Sequence, residues 1–134
     1  MKFLRNLAIV LLLGSTMIAC KKNADTTPKP PTSIEGKYAG KYGFDNEAPD
    51  GIFKLNVKTG GVFQELGSSS GNPTGQGTWQ LTGDTLTANY YMLFAPYSEY
   101  SVSLVFNAAK GTLTGTWGYD KSVSDGGKLV VTKQ

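Results

Sequence analysis

The sequence of 134 residues contains no histidine and only one cysteine. Without histidine, the chain cannot form a Ser-His-Asp triad, a Cys-His nucleophile pair or the usual histidine sites for zinc and haem. One cysteine cannot form a disulfide framework, and it cannot build a zinc site from several thiolates. These absences exclude many of the commonest catalytic and metal-binding arrangements.

The chain also lacks an apolar run of the roughly 20 residues that span a bilayer. Its clear apolar run, Leu7–Leu13, has seven residues, follows the basic residues Lys2 and Arg5, and precedes small residues. This order is typical of a secretory signal peptide. We therefore expect residues 1–19 to be removed rather than to remain as a transmembrane helix.

The single cysteine follows this segment in the string Met17-Ile18-Ala19-Cys20, which resembles a lipobox. The resemblance implies that Cys20 is acylated and becomes the new N-terminus. Each buried CH₂ of an acyl chain adds about 0.8 kcal/mol, and two chains anchor a protein stably. We expect a lipid-anchored protein of the cell envelope, at the outer membrane and facing either the periplasm or the surface. The alternative is a secreted protein in which this cysteine has no role.

Residues 20–33 are predicted to form a lipid-anchored, flexible tether. The segment from Lys21 to Ser33 has three prolines and no apolar residue larger than alanine. Such a segment buries too little surface to offset the entropy of ordering it, so we expect a solvated spacer.

The net charge of +3 comes from these N-terminal segments and not from the domain that follows. Of the 13 Lys and Arg residues, two lie in the signal peptide and three in the tether, which leaves eight against nine acidic residues from Ile34 onward. Nucleic-acid binding needs clustered basic residues, so no nucleic-acid partner is predicted.

Residues 34–134 contain 16 of the 17 glycines and repeatedly alternate apolar and polar residues, as half-buried strands do. Eight short strands are predicted, and the facing of the third, near residues 62–66, is left open by its pattern. The inward-facing residues predicted for the other strands are Tyr38, Gly40, Tyr42 and Phe44; Phe53, Leu55 and Val57; Trp79 and Leu81; Leu86, Ala88, Tyr90 and Met92; Tyr100, Val102, Leu104 and Phe106; Leu113, Gly115, Trp117 and Tyr119; and Leu129 with either Val130 or Val131.

The central hairpin has the clearest register. Its Gly-Asp loop at positions 83 and 84 suits a type II′ turn, whose backbone twist matches that of the strands. This turn pairs Thr82 with Thr85 and Leu81 with Leu86. The large apolar residues then lie on one face, so the turn chemistry and the hydrophobic pattern predict the same register.

Sequential strands joined by hairpins form an antiparallel meander. An open meander has two unpaired edges, and closing the sheet into an up-and-down barrel removes them. We therefore predict an all-β fold over residues 34–134, an eight-stranded barrel, with a β-sandwich as the alternative.

The two ends of the predicted barrel differ, because alternate connections of a meander lie at the same end. The second, fourth and sixth strands end in tight turns, whereas four longer loops (residues 45–51, 67–75, 93–98 and 120–125) share the other end. Aromatic residues lie near this loop end, and tyrosine combines an apolar ring with a hydroxyl, as suits a partly polar ligand. The predicted ligand-binding residues are Tyr42, Phe44, Phe53, Tyr90, Met92, Tyr100, Trp117 and Tyr119.

Other interpretations of the loop end stay open. An eight-stranded barrel is just wide enough to be filled by its own side chains, so the same aromatic residues can form a solid core. The loops would then be the functional surface, with Leu93, Phe94 and Tyr97 against a protein partner. Acidic loop residues such as Asp45 and Asp50 lack EF-hand spacing and are predicted to be solvated rather than to bind metal. No pair of carboxylates is placed across a cleft, so neither an enzyme activity nor a cofactor is predicted.

Three short strings carry a family resemblance. They are Gly36-Lys37-Tyr38, residues 77–86 (GTWQLTGDTL) and residues 111–117 (GTLTGTW). Together they resemble the small lipocalin-like or avidin-like barrels of bacterial lipoproteins over roughly residues 34–134. Tyr38 stands where lipocalins have tryptophan, their later arginine motif has no counterpart, and the biotin-contacting residues of avidin cannot be matched position by position. The resemblance therefore implies a barrel with a binding role but no particular ligand.

The sequence therefore predicts a lipid-anchored envelope lipoprotein whose barrel binds a small apolar or amphipathic ligand at its loop end. The alternative function is a protein-interaction module, an inhibitor or an envelope assembly accessory, that uses the four loops around a solid core.

Overall fold

The computed structural model describes residues 33–134. The predicted signal peptide (1–19), Cys20 and the predicted tether before Ser33 lie outside the described residues. Within the described range, no helix has the length and apolar character that crossing a membrane requires.

This part of the chain forms eight strands and one short 3₁₀ turn, Thr59–Gly61. Each strand pairs antiparallel with the next, and β8 pairs with β1, which closes the sheet. The predicted eight-stranded barrel is confirmed, and the sandwich alternative is wrong. The strands are β1 (Gly36–Tyr42), β2 (Gly51–Lys58), β3 (Val62–Leu66), β4 (Pro73–Thr82), β5 (Thr85–Met92), β6 (Glu99–Asn107), β7 (Thr112–Tyr119) and β8 (Gly127–Lys133).

The central hairpin has the predicted register. Leu81 lies opposite Leu86 and Thr82 opposite Thr85. Of the two loop residues only Gly83 has a positive φ, +63°, which is the backbone pattern of a type II′ turn. Glycine adopts this conformation at little steric cost, and the turn chemistry therefore sets the pairing of β4 with β5.

Two facings that the sequence pattern left open are decided by strand pairing. β3 pairs with β2 so that Phe63 and Glu65 lie opposite the inward-facing residues of β2 and face the interior. In β8, Val131 is fully buried, whereas Val130 is 41% exposed on the outer face.

The barrel interior nearer the tight turns is packed with side chains. Ile34 closes this end, where the buried Tyr38 hydroxyl donates a hydrogen bond to the Ile34 carbonyl oxygen at 2.5 Å. Burial raises the pKa of Tyr38 to about 12, so the hydroxyl keeps its proton at neutral pH. Other fully buried core residues are Leu55, Val57, Phe63, Leu86, Val102, Leu104, Leu113, Leu129 and Val131.

Both ends of the described chain lie at this tight-turn end. The Gln134 amide donates to the Lys37 carbonyl oxygen at 2.9 Å, and the Lys133 amide donates to that of Gly111, in the β6–β7 turn, at 2.8 Å. The Lys133 ammonium donates to the Ser33 carbonyl oxygen at 2.6 Å. The chain thus enters and leaves the barrel opposite the loops. Because closure and core are complete within residues 33–134, we expect this part to fold by itself.

One predicted core position and the bounds of three predicted loops differ in the structure, where the first loop is residues 43–50 and the fourth ends at residue 126. Leu81 is 43% exposed, so its prediction as a core residue is wrong. β3 begins at Val62, opposite Thr78, and the last four residues of β4 pair only with β5. The loop before β4 also ends earlier than predicted, because the strand begins at Pro73.

Candidate functional site

A cavity of about 410 Å³ lies at the loop end of the barrel. Small-molecule sites typically measure roughly 300–1,000 Å³, so the cavity is large enough for a small organic ligand. The interior is therefore packed toward the tight turns and hollow toward the loops. All eight residues predicted from the sequence lie in the cavity lining: Tyr42, Phe44, Phe53, Tyr90, Met92, Tyr100, Trp117 and Tyr119.

Phe44 reaches the cavity from a loop and not from β1. The strand ends two residues earlier and Phe44 is 48% exposed, so its prediction as a strand residue is wrong. The Gly43 amide donates to the Lys128 carbonyl oxygen and the Asp45 amide to that of Gly126, both at 2.9 Å. These bonds continue the contact with β8 beyond β1 and hold Phe44 at the rim.

One side of the cavity is a continuous set of aromatic rings, the aromatic wall, formed by Tyr42, Phe44, Tyr100, Trp117 and Tyr119. The Trp117 ring lies at its centre, with centroid distances of 5.9 Å to Tyr42, 5.5 Å to Phe44, 6.1 Å to Tyr100 and 5.3 Å to Tyr119. Separations of 4.5–7 Å are those of favourable edge-to-face and tilted pairs. The rings therefore support one another, and these mutual contacts hold the wall together.

Trp117 is held in place by its own hydrogen bond and by a glycine. Its indole N–H donates to the Gly43 carbonyl oxygen at 3.0 Å. A Cβ atom at Gly126 would lie 2.5 Å from Cε3 of the indole, so a side chain there would displace the ring. Because the N–H is already bonded, Trp117 offers a ligand its ring surface.

Two glycines of β4 give the cavity its shape. Gly75 and Gly77 occupy inward-facing positions opposite Met92 and Tyr90 of β5. A Cβ atom at Gly75 would lie 2.8 Å from Cδ2 of Tyr90, so the tyrosine ring occupies that space. The ring also packs 5.1 Å from Phe63, which is fully buried, and Tyr90 thus forms the floor of the cavity above the packed core.

The side of the cavity across the barrel from β7 contains polar groups. We call this set the polar side; it consists of Glu65, Ser68 and Thr74. The register shifts between Glu65 and Leu66, and Thr74 is the extra residue of a bulge in β4. Bulges redirect side chains, which explains why the adjacent residues Glu65 and Leu66 both line the cavity.

Glu65 is the one charged side chain among the described residues that line the cavity. Burial raises the pKa of its carboxyl above the usual value of 4.5, and a hydrogen bond with the Tyr90 hydroxyl partly offsets this rise. Burial and the nearby charge of Glu65 in turn raise the pKa of Tyr90, so that hydroxyl remains a hydrogen-bond donor. Glu65 and Tyr90 therefore form a polar centre at the base of an aromatic cavity.

Sequence reasoning missed Glu65 because it left the facing of β3 open. The signal that could have found it is the three-residue connection Thr59–Gly61. Pairing the strands symmetrically about this turn places Leu55, predicted to face inward, opposite Glu65, as the structure does. The other lining residues that were missed are Ile52, Leu66, Gly67, Ser68 and Thr74.

The rim of the cavity bears exposed apolar residues on the β5–β6 loop. Leu93, Phe94 and Tyr97 are 45%, 64% and 65% exposed. The Leu93 amide donates to the Thr74 carbonyl oxygen at 2.8 Å, and the Tyr97 amide donates to that of Phe94 at 2.9 Å. The loop is therefore fixed beside the polar side of the cavity with its apolar side chains in solvent.

Comparison with known proteins adds no relationship to this geometry. No protein-family model, no curated protein and no solved structure matches the chain significantly. The resemblance to lipocalin-like barrels of bacterial lipoproteins therefore stays a prediction.

Proposed function

We propose that this protein is a lipid-anchored lipoprotein of the cell envelope whose barrel binds a small apolar or amphipathic ligand at its loop end. The observation that carries the proposal is the cavity of about 410 Å³, walled by aromatic rings and open between the loops. Apolar surface transferred from water to such a site stabilises a complex by about 0.8 kcal/mol per methylene group. The tyrosine hydroxyls and the polar side can accommodate a polar end of the same ligand.

The position of the chain ends indicates which end of this carrier would be joined to the lipid anchor. Ser33, the last residue of the predicted tether, lies at the tight-turn end, beside Lys133. A lipid on Cys20 would therefore attach the barrel through its closed end, which leaves the loop end free of the anchor. The predicted flexible tether would let the cavity exchange its ligand with the surrounding compartment.

Two measurements test ligand binding. Native mass spectrometry of the protein purified gently from its own host should show a co-purifying small molecule. Titration of residues 21–134 with straight-chain alcohols should change tryptophan emission, with affinity rising roughly fourfold per added methylene until the cavity is full. A bare protein whose emission does not respond to any alcohol would contradict the proposal.

The two tryptophans provide an internal control. Trp117 lies in the aromatic wall, whereas Trp79 is outside the lining and donates its indole N–H to the Lys58 carbonyl oxygen at 2.8 Å. In a Trp79→Phe variant the emission comes from Trp117 alone and should respond to ligand. In a Trp117→Phe variant it comes from Trp79 alone and should not respond.

Lipid attachment is tested separately. Radiolabelled palmitate should be incorporated into the wild-type protein and not into a Cys20→Ser variant, and only the wild type should fractionate with membranes. Labelling of the serine variant would show that Cys20 is not the acylated residue.

The exposed loop residues favour a second candidate function, docking of a protein partner. Leu93, Phe94 and Tyr97 form an apolar group at the rim, and exposed apolar groups of this kind often mark interaction sites. Replacing Phe94 with serine should abolish capture of such a partner and leave the binding of alcohols unchanged. The reverse result would assign Phe94 to the ligand site.

A further inference from the structure

The polar centre of the cavity has an uncompensated charge. Glu65 lies on the inner face of β3, and among the described residues of the lining there is no lysine or arginine. Its identified partner is the hydroxyl of Tyr90, a neutral donor. Glu65 is half-buried, and partial removal of a carboxylate from water costs free energy unless a positive charge or several donors replace the lost water. Here the replacement is one hydroxyl.

The aromatic residues around Glu65 add a second feature that favours a cation. Tyr90 packs 5.8 Å from Tyr100, and Tyr100 packs 6.1 Å from Trp117, so ring faces and edges continue from the carboxyl into the aromatic wall. Ring faces attract ammonium groups within about 6 Å of their centroids, most strongly where water is excluded. A half-buried carboxylate beside tyrosine and tryptophan rings thus combines the two groups that recognise organic ammonium ions.

We propose that the ligand of this cavity is an amphipathic amine, whose ammonium group binds Glu65 while its apolar part contacts the aromatic wall. This inference rests on the proposed ligand-binding function and specifies its ligand class. The same carboxylate repels anions, so fatty acids and other carboxylates are poor ligands. Neutral molecules of equal length gain the apolar contacts alone.

Three probes of one chain length separate charge from apolar burial: octylammonium, octanol and octanoate. At about pH 8, carboxylates are ionised and an alkylamine is still protonated. Each probe is titrated into residues 21–134 and followed by the emission of Trp117 in the Trp79→Phe background. The charge is then removed in Glu65→Gln. Glu47→Gln makes the same change on the exposed β1–β2 loop, outside the lining, and serves as the matched control.

Octylammonium should bind at least about tenfold more tightly than octanol, since hydrogen bonds to charged groups contribute that much or more, and octanoate should bind most weakly. In Glu65→Gln the preference for octylammonium over octanol should disappear while octanol still binds. In Glu47→Gln the preference should remain.

The pH dependence of the wild type provides a test that needs no substitution at position 65. The other titratable groups that line the cavity are the hydroxyls of Tyr42, Tyr90, Tyr100 and Tyr119, and burial together with the charge of Glu65 raises the pKa of Tyr90. Octylammonium affinity should rise as the pH increases through the raised pKa of Glu65, whereas octanol affinity should stay constant.

Equal binding of octylammonium and octanol would overturn the inference and leave the proposed carrier function in place. A charge preference that persists in Glu65→Gln, or one that vanishes in Glu47→Gln, would also overturn it. If none of the three probes binds, the proposed carrier function itself fails.

Discussion

Gly75 and Gly77 are neighbouring inward-facing glycines of β4, and the same substitution at each should have different consequences. At Gly77, an added Cβ would overlap the carbonyl oxygen of Asn89 and lie 2.5 Å from the Cα of Tyr90, both backbone atoms of the paired strand. At Gly75, the nearest atom is Cδ2 of the Tyr90 ring at 2.8 Å, which can move by side-chain rotation. Gly77→Ala should therefore destabilise the barrel, whereas Gly75→Ala should alter the cavity.

The size of each stability change follows from how much closer the new Cβ would lie to its neighbours than an ordinary contact allows. Ordinary contacts of a Cβ begin near 3.4 Å, so the Cα of Tyr90 alone requires β4 and β5 to separate locally by about 0.9 Å in Gly77→Ala, and the closer carbonyl oxygen of Asn89 requires more. Overpacking of this kind costs about 1–3 kcal/mol, which corresponds to a fall in Tm of roughly 5–20 °C for a domain of this size. In Gly75→Ala the new Cβ would lie about 0.6 Å too close to Cδ2 of Tyr90, and rotation of the Tyr90 ring can relieve this overlap. Alanine also lowers the conformational entropy of the unfolded chain, which stabilises the folded state by about 0.4–1 kcal/mol. The net change in the Tm of Gly75→Ala should therefore be within about 5 °C.

The two properties are measured on the same preparations. Thermal unfolding by circular dichroism gives the stability, and octanol titration followed by tryptophan emission gives the affinity. Gly75→Ala should bind octanol several-fold more weakly because Tyr90 is pushed into the cavity, with little change in Tm. Equal loss of Tm in the two variants, or unchanged Tm in Gly77→Ala, would refute the argument from close strand approach.

Three further predictions concern hydrogen bonds, ionisation and backbone conformation. Tyr38→Phe removes a buried hydrogen bond and should cost about 1–3 kcal/mol, seen as a fall in Tm; an unchanged Tm would contradict the role of this bond. Because the folded pKa of Glu65 is raised, its stabilising contribution is complete below about pH 4.5 and is lost as the pH rises through the folded value. In urea unfolding, the stability of Glu65→Gln relative to the wild type should therefore increase from acidic to neutral pH. Stabilities that change in parallel with pH in the two proteins would contradict this prediction. Gly127 has φ +146°, and a Cβ there would overlap the Gly43 carbonyl oxygen, which accepts the hydrogen bond of the Trp117 indole. Gly127→Ala should therefore lower Tm and shift Trp117 emission, and an emission like that of the wild type would contradict this prediction.

The sequence was sufficient for the architecture because the signals that define a meander are local. Alternation with period two predicted the faces of six strands, and the Gly83-Asp84 turn set the register of β4 with β5. Alternate connections of a meander must share an end, so loop lengths alone indicated which end would be open. The eight residues predicted for that end all line the cavity.

Other features depend on strand pairing that no local pattern records. Glu65 faces inward because β3 pairs with β2 in one register, and the bulge at Thr74 directs Leu66 toward the same cavity. Leu81 is exposed because β3 is too short to cover it. Each of these outcomes depends on the length and alignment of a neighbouring strand.

By itself, the sequence determined an all-β chain with a closed end and a loop end, since hydrophobic period and turn chemistry act over a few residues. Only the tertiary structure decided that the loop end is hollow and has a half-buried carboxyl group in its lining. A cavity depends on how side chains from all eight strands share one volume, and contacts such as that of Trp117 with Gly43 join residues 74 positions apart. Packing over that distance follows from closure of the barrel, which sets the diameter that the side chains must fill.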